Sequence, residues 1–88
     1  MAVLLITYDL PKKGQNYEGI LGTIRKYPNT QLSESSYAID TTETHLDIFK
    51  KLQSSMDSND RLYVVNLTKP VTGHGKKNVN EWLEEHLP

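Results

Sequence analysis

"VLLITYDLPKKG", from Val3 to Gly14, is the stretch that decides the fold. Val3 to Tyr8 is an apolar and β-branched run without polar alternation, the pattern of a strand buried on both faces. Such a strand belongs at the centre of a sheet. Asp9 follows where the strand surfaces, and Leu10-Pro11-Lys12-Lys13-Gly14 reads as a turn, because proline and glycine interrupt regular structure. An aspartate in that place has two readings. It starts the turn by accepting backbone N–H bonds, or it is a carboxylate set out for chemistry.

Downstream, Tyr17, Ile20, Leu21, Ile24 and Tyr27 recur at helical spacing and predict a helix over Asn16 to Tyr27, stopped by Pro28-Asn29. Gly19 and Gly22 each cost that helix about 1 kcal/mol relative to alanine, so their presence predicts close packing on the sheet. Thr30 to Thr41 is strand-like with a weak centre at Ser33-Glu34-Ser35-Ser36. It predicts two short strands joined by a bend or tight hairpin, the second running from Ser36 to Asp40. Asp40 or Thr41, with Glu43 following, forms a capping pattern for a second helix. Leu46, Phe49, Leu52 and Met56 make the buried stripe of that helix. The turn formers Asp57-Ser58-Asn59-Asp60 then lead into a strand from Arg61 to Leu67. Beyond the loop "TKPVTGHGKK", Asn78 and Glu81 mark the start of a final helix. Its face of Val79, Trp82, Leu83 and Leu87 docks on the core or on a second subunit.

The order is β-α-β-β-α-β followed by a short helix. Right-handed crossovers then give an α+β, ferredoxin-like split βαβ plan. The expectation is one domain over residues 1–88: a four-stranded antiparallel sheet with helices on one face, the first and third strands central.

Composition narrows the function classes. A chain of 88 residues buries about 60–65% of its unfolded surface, which makes self-association a reasonable expectation. The chain has no cysteine, which removes disulfides and thiolate metal sites and permits an intracellular setting. No signal peptide is visible, and "AVLLI" is too short to span a membrane, so the expectation is a cytoplasmic protein. The formal charge of −1, from 10 Lys+Arg and 11 Asp+Glu, argues against a general nucleic-acid coat while leaving room for a local basic patch. His45, His74 and His86 lack metal-ligand spacing, and no base stands beside Ser35 or Ser36. Walker, Rossmann, zinc and hydrolase motifs are all missing, so no cofactor is required.

Four stretches carry a family resemblance: "LLITYDL" (Leu4 to Leu10), "SESSYAID" (Ser33 to Asp40), "SNDRLYVVNL" (Ser58 to Leu67) and "EWLEEHL" (Glu81 to Leu87). Together they resemble the SinR family of short bacterial proteins and the small subunit of the CRISPR adaptation machinery. The virulence-associated protein D ribonucleases are more distant cousins. The resemblance implies a ferredoxin-like homodimer. In the CRISPR subunit the aspartate ending the first strand meets its dyad mate, and the two hold one divalent metal that activates water on a phosphodiester. The matching position is Asp9, which the resemblance makes a candidate catalytic and metal-binding residue. A serine near the hairpin, Ser35 or Ser36, would lie close to it.

Two functions are expected from these readings. The first is a homodimeric, non-enzymatic interaction or nucleic-acid-binding module, favoured by the acidic balance and by the absence of arginine before Arg25. The candidate contacts to RNA or DNA are Tyr8, Lys12, Lys13, Ser35 and Ser36. The alternative is a Mg²⁺-dependent endonuclease, an endoribonuclease by resemblance, using Asp9 from both subunits.

Overall fold

The computed structural model of the chain describes residues 2–10 and 17–88. Its elements run β1 (Ala2–Asp9), α1 (Tyr17–Ile24), β2 (Asn29–Ser33), β3 (Ser36–Thr41), α2 (His45–Gln53), β4 (Arg61–Leu67) and α3 (Lys77–His86). The sheet order is β2-β3-β1-β4, and every neighbouring pair is antiparallel. This is the expected α+β, split βαβ arrangement with β1 and β3 at its centre. The turn segment Pro11 to Gly14 and Asn16 fall outside the described residues.

The unbroken apolar run of β1 serves two layers. Leu4, Ile6 and Tyr8 face α1 and α2, where Ile20, Ile24, Ile48 and Leu52 are fully buried. Each such side chain contributes about 1.5–3 kcal/mol on burial. Val3 points the other way, into a smaller cluster with Ala38 of β3 and Val79, Leu83 and Leu87 of α3. The crossover helices α1 and α2 share one face of the sheet as expected, and the final helix docks on the second face. Its apolar residues recur every three to four positions, so one side of α3 meets the sheet continuously.

Several local expectations are corrected. The cap of α2 is Thr44, whose side chain accepts a hydrogen bond from the Asp47 N–H at 3.1 Å. Thr41 instead accepts from the Glu43 N–H, and Asp40 is buried. The buried residues of α2 are Ile48 and Leu52, Phe49 and Met56 are half-buried, and Leu46 is 52% exposed. The buried phase of α2 is that of Ile48 and Leu52, and Leu46 faces a groove that it lines with Leu62 and Val64 of β4. Helix α3 starts at Lys77 without a side-chain cap, so Asn78 is inside its first turn. A side-chain carbon added at Gly19 would run into Ser55, just after α2, so this glycine lets α1 approach α2 rather than the sheet. One added at Gly22 meets nothing within 4 Å.

Two polar assemblies pin these layers. Tyr27, which lies beyond the end of α1, donates its hydroxyl to Glu43 at 2.5 Å, and Lys51 of α2 pairs with the same carboxylate. Lys51 and Tyr27 hold the Glu43 carboxyl below its ordinary value near 4.5. Stability from that shift is present above pH 4.5 and is lost as pH falls through the lowered value. On the opposite face, His86 Nδ1 lies 2.6 Å from Asp40 Oδ2, while Asp40 Oδ1 is buried with no hydrogen-bond partner among the described residues. The His86 ring stacks on Trp82 with centroids 3.9 Å apart. This pair ties the last turn of α3 to β3.

Among the described residues no helix is long and apolar enough to cross a membrane. His86→Ala leaves the Asp40 carboxylate buried alone and lowers unfolding free energy by about 3 kcal/mol. The Asp40→Leu/His86→Leu double variant, which leaves no buried charge, loses less. Urea unfolding by circular dichroism measures both, and equal losses would show that the pair is not coupled.

Candidate functional site

Asp9 ends β1 at one margin of the sheet, opposite Arg61 across the β1–β4 ladder. It is exposed, and among the described residues its carboxylate has neither a hydrogen-bond nor an ion-pair partner. The hairpin between β2 and β3 stands beside it. The Tyr8 N–H donates to the Ser35 carbonyl at 3.0 Å, which extends the β1–β3 ladder into the turn. The Ser33 and Ser36 hydroxyls meet at 2.5 Å across the hairpin base. Tyr8, Asp9, Leu10, Glu34 and Ser35 then line a shallow opening of about 240 Å³.

The structure thus brings Asp9 and Ser35 together, as the resemblance implies, and adds Glu34. Ser36 lies one residue further along, on the face that carries Thr7 and Tyr63. Tyr8 is corrected as a base-stacking candidate: it is 5% exposed, with its ring in the core under α1 and α2. A central strand must fill both faces, and position 8 falls on the helix side. Lys12 and Lys13 lie outside the described residues.

The titratable side chains lining this opening are the carboxylates Asp9 and Glu34 and the Tyr8 phenol; no histidine lines it. Magnesium binding through one or two carboxylates plus water is common chemistry. Yet among the described residues no group of three or more His, Asp or Glu side chains converges on one point. In the arrangement that the resemblance implies, the second carboxylate comes from Asp9 of the partner subunit.

A different surface stands out along β4. Among the described residues this strand pairs with β1 on one side only, which leaves its other side a free edge. Tyr63 is 66% exposed and Val65 46%, both on the face that α3 leaves bare, beside Leu5. On the other face, His45, Leu46, Phe49, Leu62 and Val64 line an apolar groove of about 310 Å³ between α2 and the strand, with Tyr63 at its margin. The sequence identifies "RLYVVNL" as an apolar strand, and central first and third strands put it at an edge, as observed. The signal not drawn from this was that Tyr63, Val65 and Leu67 are as apolar as a buried face although the strand is an edge. Also missed was the Asp40–His86–Trp82 assembly, since only the Trp82–His86 spacing is visible in sequence.

No protein-family model matches the chain. Among solved structures it is similar to a hypothetical protein from Thermus thermophilus, with a TM-score of 0.70 and 17% identity over 85% of this chain and 92% of that one. At that identity the likeness shows the fold alone.

Asp9→Asn should leave unfolding free energy within about 0.5 kcal/mol of the parent, as expected for an unpartnered surface carboxylate. A loss above 1 kcal/mol in urea titrations would show that Asp9 acts as the turn's hydrogen-bond acceptor.

Proposed function

We propose that this protein is a cytoplasmic, homodimeric interaction module without enzymatic activity, and that its apolar β4 surface is where chains associate. The observation that carries this reading is the concentration of exposed apolar side chains at one place. Of the exposed large hydrophobic residues Leu32, Leu46, Tyr63, Val65 and Val71, three lie on or beside β4. Contiguous apolar surface on a chain this small marks an interaction site rather than random exposure. Charge points the same way. Arg25, Lys51, Lys69 and Lys77 are each engaged by a glutamate of the same chain, which weakens the case for a phosphate-binding face. The scaffold role fits the resemblance to the SinR and CRISPR small-subunit group.

The Mg²⁺-dependent endoribonuclease reading is supported by one observation: the unpartnered Asp9 carboxylate shares its opening with Glu34 and Ser35. Two Asp9 side chains would hold the ion and its waters, whose acidity the metal raises. That requires carboxylate oxygens within about 4–5 Å of each other across the dimer.

Sedimentation of the full chain at tens of micromolar should give a dimer, and Tyr63→Asp/Val65→Asp should give a folded monomer. A monomeric parent chain would overturn the module. The same preparations incubated with single-stranded RNA and Mg²⁺ should leave it intact. Cleavage that disappears in Asp9→Asn would establish the endonuclease reading instead.

A further inference from the structure

We infer that two copies join edge to edge through β4, in antiparallel pairing about a two-fold axis at Val64, merging both sheets into one. This rests on the homodimer reading above and specifies its geometry. The two free edges of the sheet are unlike each other. The β2 edge is short, at 5 residues, shifts register between Gln31 and Ser33, and has the start of α3 beside it. Short length, bulges and cover are the devices by which proteins keep an edge from pairing. The β4 edge has none of them. It runs 7 residues without proline or irregularity, and its one charged residue, Arg61, stands at its first position. It is an edge built to accept a strand.

The helix layer agrees. Leu46 of α2, at 52% exposure, and half-buried Phe49 line the groove together with Leu62 and Val64 of β4, so apolar surface continues from the helix layer to the strand. A strand added beside β4 lies about 4.8 Å away and places its inward side chains in that groove.

The strand is complementary to itself. Pairing about Val64 keeps all 7 residues in register and sets Tyr63 opposite Val65 of the partner copy on the bare face. Aromatic and β-branched residues make favourable cross-strand pairs. Leu62 meets Asn66 on the helix side, and Val64 meets its own copy beside the groove that Phe49 lines. The two Arg61 side chains fall at opposite ends of the ladder, so like charges do not face each other. A second copy therefore covers the exposed Tyr63, Val65 and Leu46 together, and the strand itself dictates that occupant.

This geometry has a consequence for Asp9. Asp9 lies opposite Arg61, one strand in from β4 and three residues along from Val64. With a rise of about 3.4 Å per residue and a strand spacing of about 4.8 Å, the two Asp9 Cα atoms sit about 25 Å apart. An edge-paired dimer cannot share one ion between them.

The chain has no cysteine, so single cysteines test the arrangement directly. Antiparallel partners have Cα atoms about 4.5–5.5 Å apart, inside the range of about 4.4–6.8 Å that a disulfide spans. Under mild oxidation, Val64→Cys should give on the order of tenfold more covalent dimer than Asp9→Cys on non-reducing gels. If Val64→Cys perturbs folding, an equimolar mixture of Tyr63→Cys and Val65→Cys, both at exposed positions, should cross-link more than either alone. Cross-linking of Asp9→Cys in preference to these would overturn edge pairing while leaving the homodimer intact. A parent chain that sediments as a monomer would remove the homodimer itself.

Discussion

Everything in this molecule depends on β1 being buried from both sides. Its position between β3 and β4 supplies the ladder hydrogen bonds, and its two faces nucleate two separate clusters. One face, through Leu4, Ile6 and Tyr8, holds the α1–α2 layer. The other, through Val3, gives α3 something to dock on. A polar residue at either set of positions would leave a helix without its partner surface. The fold has little else to rely on, since there is no disulfide and the surface ion pairs contribute little.

That arrangement also determines what remains uncovered. Helix α3 reaches Val3, Ala38 and Leu67, where the Asp40–His86 contact anchors its last turn. It stops short of Leu5, Tyr63 and Val65. Helix α2 is anchored by Ile48 and Leu52, and its Leu46 and Phe49 line the groove beside β4. An edge strand with apolar residues above, below and beside it is a surface to which a matching strand adds with little further ordering, because the backbone is already extended. Asp9 sits at the far margin of the same sheet. The proposed edge association would separate the two copies of the acid, so an edge-paired dimer and a shared-ion mechanism exclude each other geometrically.

The fold was legible because β1 has no alternation. Val3 to Tyr8 reads as a central strand, and the helical spacings and turn formers downstream supply the rest of the β-α-β-β-α-β order. The hairpin at Glu34-Ser35 was legible too, from its weak, serine-rich centre. Helix boundaries were less so. Thr44, not Asp40, caps α2, because Asp40 is claimed by a histidine far along the chain, and no local pattern announces such a pairing. The α2 stripe was misjudged at Leu46 for a related reason: spacing identifies an apolar side but not which of its residues end up buried. Of the site residues, Asp9 and Ser35 do share an opening, whereas Tyr8 faces the core, a distinction that depends on strand phase.

Amide hydrogen exchange at varied protein concentration tests the central claim, that the β4 edge is the surface through which copies associate. Backbone amides from Leu62 to Asn66 that point away from β1 should exchange freely in dilute protein. Their protection should grow with concentration in step with dimer formation, while amides of β2 stay unchanged. Concentration-dependent protection at β2, or dimer formation without any added protection in β4, would contradict the account.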